Sequence, residues 1–308
     1  MPKTFYSNGK LLLTGEYAIL DGAKGLALPT KFGQSLSLSY TDSENFVWNS
    51  LDENDAVWFS AELSKKNLKA IYTSDQEVAY RLSHILSEAK KLNPLFEPST
   101  KEANTVDAKV TFPRDWGLGT SSTLINNIAE WAGVNPFKLL EATFGGSGYD
   151  IACAKHSAPI IYKRNGFSPN VEEVIFNPNY ADRLFFVYLN EKKNSRDAIT
   201  SYRNLDFDKE KLINQINNIT EKVLKCSTLA EFENLLNLHE TILSQTLQIE
   251  TIKNIRFADY PNTIKSLGAW GGDFVLVTGT MEDMEYFKNK GYSTILPYKK
   301  MILQKKSI

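Results

Sequence analysis

Apolar positions in the first third of the chain recur at the short spacing of strands. Residues 10–14, 25–28, 34–40, 46–48 and 57–61 are leucine-rich, β-branched or aromatic runs set off by Gly, Asp or Asn, which predicts short strands joined by turns. The period then changes. Across 77–92, Val78, Leu82, Ile85, Leu86 and Ala89 share one helical face. A polar, Pro-containing link at 91–105 leads to an alternating strand at 106–112, stopped by Pro113. A helix is predicted from Thr120 towards Trp131, ended by Gly133. Pro136 suits the first turn of the next helix, which stops at Gly145 and Gly146. A third helix starts around 148–150, and a strand follows at 159–162.

The polar segment 165–182 reads as a boundary, dividing a domain 1–170 from a domain 171–308. Beyond it the pattern predicts a buried strand at 184–189 and long helices at 208–224 and 229–247. Residues 274–278 form a further strand, 281–290 a helix and 293–296 a closing strand. Strands and helices mix without a strict βαβ repeat, so the class is α+β in two domains.

Composition narrows the function classes. The 308 residues exceed what one compact core usually holds. Lys and Arg number 35 against 36 Asp and Glu, a net charge of −1, which leaves no basic excess for a nucleic-acid backbone. No stretch approaches the ~20 apolar residues of a membrane span. The two cysteines, Cys153 and Cys226, are far apart and suit a reducing compartment. The three histidines lie at no zinc spacing, so any metal is expected to be a hard cation held by oxygen. A cytoplasmic protein with no nucleic-acid or membrane partner is expected.

Four stretches carry candidate chemistry. In VTFPRDWGLGTSST (110–123), a strand stops at a proline, a small-residue turn follows, and a helix opens on consecutive hydroxyls. Glycines admit a ligand close to the backbone, and a helix N-terminus offers free N–H groups to an anion. Taken alone, this stretch is better explained as an ordinary capped helix after a tight turn, and it is not a Walker A loop. In FGGSGYDIACA (144–154), a glycine run leads into Asp150, either a dipole-complementing acid or a base aimed at a substrate hydroxyl. In SNGKLLLTGEY (7–17), Lys10 enters an apolar strand; residue type alone favours a solvated lysine over an electrostatic partner for a carboxylate. KSLGAWGGDFVLV (265–277) is either a hairpin turn or a second wall around phosphates.

Taken together and in order, the four resemble the motifs of the GHMP kinase superfamily. GKLLLTGEYAIL is similar to its first motif, GLGTSST to its second, and KSLGAWGGDF to its third, while GSGYDIACA resembles the segment with the catalytic aspartate of mevalonate and phosphomevalonate kinases. GYDIA itself looks like the mark of a small bacterial branch. The resemblance implies a two-domain fold, with an N-terminal ATP-binding domain like ribosomal protein S5 domain 2 and a ferredoxin-like C-terminal domain. It implies ATP and Mg²⁺ as cofactors. Asp150 would be base or orienter and Lys10 its partner. Gly117, Leu118, Gly119, Thr120, Ser121 and Ser122 would cradle phosphates, with Gly268, Gly271 and Gly272 closing the cradle. Ser121 would be the Mg²⁺-side hydroxyl and Glu141 a further metal candidate. Ser147, Gly148, Tyr149, Arg196 and Trp270 are substrate candidates, and Lys192 and Lys193 share a basic turn with Arg196. Glu16 is assigned a structural role.

The chain also departs from the family pattern. The stretch PRDWGLG (113–119) lacks one glycine of the second motif, and Trp270 and Leu267 replace a glycine and a hydroxyl residue of the third. The function implied is phosphoryl transfer from ATP to a hydroxyl or phosphate of a small anion, with mevalonate or phosphomevalonate leading and room for a homodimer. The alternatives are a diphosphomevalonate decarboxylase-like enzyme and a catalytically silent metabolite-binding protein.

Overall fold

The computed structural model describes residues 3–101, 103–192, 195–268, 270 and 272–304, with only the backbone at 195 and 196. In chain order the elements are β1 (Thr4–Thr14), β2 (Gly25–Ser39), β3 (Phe46–Leu51), β4 (Val57–Leu63), β5 (Ala70–Thr73), α1 (Gln76–Leu92), β6 (Thr105–Val110), α2 (Thr120–Ala132), α3 (Pro136–Thr143) and α4 (Tyr149–Lys155). They continue with β7 (Ile160–Lys163), β8 (Asn170–Glu173), β9 (Leu184–Tyr188), α5 (Ser195–Arg203), α6 (Lys209–Lys225), α7 (Leu229–Leu247), α8 (Ile252–Arg256), β10 (Ile264–Ser266), β11 (Phe274–Thr278), α9 (Glu285–Asn289), β12 (Ile295–Pro297) and α10 (Tyr298–Met301). The class is α+β, as the mixed pattern predicts. Two compact units emerge: Met1–Gly9, Phe32–Arg114 and Leu118–Lys155 form the first, and Lys10–Lys31, Asp115–Gly117 and His156–Ile308 the second.

In the first unit the strands run β5-β4-β3-β6-β2. β3 and β6 are parallel, and the second half of β2, Gln34 to Ser39, lies antiparallel to β6. α1 forms because Asp75 accepts the Glu77 and Val78 N–H groups at its start, while Ala79, Leu82, Ile85, Leu86 and Ala89 make one buried stripe. That stripe shares a core with Phe46, Trp48, Phe59, Val106, Ile125 and Ile128. Each large side chain buried there contributes roughly 1.5–3 kcal/mol before entropy is charged.

In the second unit an antiparallel sheet runs β10-β11-β9-β12. All five residues of β9 and of β11 are buried, the mark of strands covered on both faces. α7 starts with a capping box: Thr228 accepts the Glu231 N–H, and Glu231 reaches back to the N-cap backbone. The first half of β2 pairs with β7, and β7 pairs with β8.

Two features differ from the pattern reading. Residues 25–28 and 34–40 are parts of one strand, although Pro29 and Gly33 lie between them. Pro29 lacks a donor, but its carbonyl accepts the Leu303 N–H at 2.9 Å. Gly33 marks a close approach: a Cβ there would lie 2.3 Å from the Ser7 carbonyl oxygen. The polar segment 165–182 contains β8, whose outward residues are exposed.

Candidate active site

Pro113 ends the run after β6, and the chain reaches α2 through Gly117, Leu118 and Gly119. Gly119 is the N-cap of α2, at φ 94°, and no side chain caps the helix start. The first N–H groups of a 13-residue helix are thus left to another acceptor, which suits a phosphate. Thr120 is half-buried and Ser121 exposed at this opening. Thr123 turns inward and donates to Gln34 Oε1 at 2.7 Å.

Ser122 also faces inward. It is buried, and its hydroxyl donates to Asp150 Oδ2 in the first turn of α4. The Asp150 Oδ1 accepts the Ile151 N–H at 3.2 Å. Gly148, buried and at φ 82°, lets the chain turn into α4 at that point. The second motif and the aspartate segment, 28 residues apart, are therefore joined side chain to side chain. Ser147 and Tyr149 flank Gly148 and are half-buried. Glu141 is exposed on α3, and no cluster of three His, Cys, Asp or Glu able to hold a metal occurs among the described residues.

A buried amide network fixes α2. Ser7 donates to Asn127 Oδ1 at 2.7 Å and accepts from Asn126 Nδ2 at 2.8 Å, while Asn127 Nδ2 donates to the Gln34 carbonyl at 2.9 Å. Sequence reasoning missed these residues. The available signal was Asn126-Asn127 inside an otherwise apolar helix, since buried amides need partners.

In the second unit Lys10 Nζ donates to the Gly117 carbonyl at 3.0 Å. Gly117 sits at φ 66°, and a Cβ there would lie 2.3 Å from the Asp273 carboxyl carbon. No larger residue fits. Trp116, in the turn just before Gly117, sets its ring edge-on to Phe274 of β11 at 5.4 Å. Gly268 adopts φ 70°, and Gly272 is buried. The Trp270 N–H donates to the Tyr17 hydroxyl at 3.1 Å, while the indole Nε1 is buried without a hydrogen bond. Lys192 is exposed. Gly271, Lys193 and the Arg196 side chain lie outside the described residues.

Glu16, expected to be structural, is 3% exposed and accepts from Lys265 Nζ at 2.6 Å. Burial pushes its carboxyl up to about 7, against the pull of Lys265. Burial pushes Glu240 up as well, and Lys265 again opposes it. For Lys265 itself, burial favours the neutral amine, but the two carboxylates outweigh it and raise the pKa.

No protein-family model matches this chain, and no curated protein matches it by sequence. Its fold does match solved structures. The Methanococcus jannaschii mevalonate kinase aligns at TM-score 0.70 and 14% identity, covering 99% of each chain. The Lactococcus lactis galactokinase complexed with galactose gives 0.67 and 13%, covering 96% of this chain and 92% of that one. The Streptococcus pneumoniae phosphomevalonate kinase, in complex with phosphomevalonate and AMPPNP, gives 0.66 and 14%, covering 95% and 99%. The chain has the fold that these kinases share, over nearly its whole length.

Proposed function

We propose that this chain, built on the fold of the GHMP kinases, is an ATP-dependent small-molecule kinase. Its acceptor is a hydroxyl or phosphate group of a small anion, with mevalonate and phosphomevalonate the first candidates. The observation that carries this reading is the Ser122–Asp150 hydrogen bond, which sets a carboxylate beside the uncapped N-terminus of α2.

The uncapped N–H groups and the Thr120 and Ser121 hydroxyls supply donors for phosphate oxygens. Asp150, oriented by Ser122, takes the proton of a hydroxyl acceptor as it attacks. A phosphate acceptor already carries negative charge, and Asp150 then serves to orient it. Lys10, fixed by the Gly117 carbonyl, offsets charge developing on the transferred group. Mg²⁺, if bound, would offset the charge that develops on the phosphates and would take oxygen donors from the protein. Ser121 is the side chain proposed to reach it, with Glu141 the further candidate. Trp270 is proposed to meet the substrate, because a buried indole N–H without an acceptor costs about 1–3 kcal/mol that a bound oxygen would recover.

The test is ADP release by the purified full chain with mevalonate, phosphomevalonate and sugar acceptors side by side, together with nucleotide binding. Acceptor-dependent turnover is expected with one of them. In Asp150→Asn it should drop by about 10²–10⁴-fold while nucleotide still binds. A chain that binds no nucleotide and turns over no ATP sinks the reading. Binding without turnover points instead to a metabolite-binding protein.

A further inference from the structure

Three segments of the second unit bring ionisable groups into one buried place. The turn after β1 supplies Glu16, α7 supplies His239 and Glu240, and β10 supplies Lys265 and Ser266. Lys265 and His239 are fully buried, and Glu16 and Glu240 nearly so. The Lys265 ammonium uses all three of its donors: Glu16 Oε1 at 2.6 Å, Glu240 Oε1 at 3.3 Å and the Ser266 carbonyl at 2.7 Å. Ser266 Oγ donates to Glu240 Oε2 at 3.1 Å.

One contact fixes the proton count. Glu16 Oε2 has no hydrogen-bond partner and lies 3.3 Å from His239 Nε2, which also accepts the Gly15 N–H at 3.1 Å. If Glu16 is ionised and His239 neutral, two lone pairs face each other. The buried group then carries −1, since one lysine meets two carboxylates, and a buried uncompensated charge is costly. A single proton between Glu16 and His239 removes both problems. Burial, aided by the Lys265 charge, pushes His239 well below its usual range, while Glu16 is pushed up. Below about pH 7 the proton therefore resides on Glu16.

The cluster is attached to the third glycine loop at two points. Lys265 and Ser266 directly precede Leu267 and Gly268. Glu16 precedes Tyr17, which is held at φ 59° with its ring 5.4 Å from Tyr202 and accepts the Trp270 N–H. Of the neighbouring elements, α6 contributes Thr220, bonded to Thr14, and Glu221, paired with Lys24 at the surface.

We propose that Glu16, His239, Glu240 and Lys265 are positioning residues for the third glycine loop, a buried group kept neutral by one shared proton that holds β10 and the Tyr17 turn where Tyr17 can bind the Trp270 amide. None of the four touches substrate in this proposal. It deepens the kinase reading, because it makes the cluster a determinant of nucleotide affinity.

The sharpest variant is Glu16→Gln, which keeps the shape, accepts from Lys265 and cannot hold the proton. In the native chain, opening the cluster exchanges a proton on Glu16 for one on His239 between about pH 4.5 and 6.5, so the hold on the loop is level there. In Glu16→Gln only His239 titrates, and opening becomes easier by about tenfold per pH unit below 6.5. Hydrogen exchange without nucleotide, on peptides covering 265–274, should show roughly 15-fold lower protection at pH 5 than at pH 6.5 in the variant and almost no change in the native chain. In the second arm, KM for ATP should rise in the variant below pH 6.5 with kcat unchanged. Equal protection in the two chains at pH 5 overturns the proposal. So does a variant that melts earlier yet keeps its KM, since that is a purely structural role. If the native chain turns over no ATP, the kinase reading fails and the exchange arm alone decides the positioning role.

Discussion

At the scale of single residues, one hydroxyl decides how the Asp150 carboxylate is held. Ser122 donates to it from the first turn of α2. Ser122→Ala removes that donor without filling space. We expect kcat to fall by about tenfold or more with nucleotide affinity unchanged, and stability to drop by about 1 kcal/mol. Steady-state kinetics and urea unfolding check the two effects. An equal loss in KM would instead make Ser122 a phosphate ligand, the role its motif position implies. Successive helical residues point about 100° apart, so the TSS run alone could not say which hydroxyl turns inward. The packed phase of α2 turned Ser122 in and left Ser121 exposed. Trp116 is a similar case. Its place in the turn names no partner for it, and its ring settles against Phe274.

At the scale of elements, α2 is the piece on which the candidate site hangs. Its grip on the sheet is polar as well as apolar, through Ser7, Gln34, Asn126 and Asn127. Asn127→Ala leaves the Ser7 hydroxyl and the Gln34 carbonyl buried and short of a partner. A loss of about 2 kcal/mol is expected, read as a lower urea midpoint at unchanged slope; a shift below about 0.5 kcal/mol would mean that the network carries little. Long periodic elements were the legible ones. The expected helix 229–247 and strand 274–278 coincide with α7 and β11. β5, β8 and β10 were missed. They have three or four residues each, too few for a period to show, and no residue of β5 or β8 is fully buried.

At the scale of the whole molecule, the buried cluster gives stability a particular pH dependence. The folded pKa of Glu16 lies above its unfolded 4.5, so its contribution is full below 4.5 and lost as pH rises through about 7. That of His239 lies below its unfolded 6.5, so its contribution is present above 6.5 and lost as pH falls. Between 4.5 and 6.5 the two cancel, because the unfolded chain carries on His239 the proton that the folded chain carries on Glu16. The pair's contribution should be level there and fall by somewhat under ~1 kcal/mol between pH 6.5 and 7. The difference in urea stability between the native chain and Glu16→Gln, followed from pH 5 to 8, reads it directly; a parallel pair of curves would refute the shared proton. The sequence by itself determined the α+β class, the longer elements and the order of the glycine motifs, because period, turn residues and motif spacing are local properties of the chain. Only the tertiary structure decided that Ser122 meets Asp150 and that Glu16, His239, Glu240 and Lys265 share one buried charge balance. Those pairings join residues 25 to 249 positions apart, and no local pattern encodes which distant polar groups must satisfy one another once water is excluded.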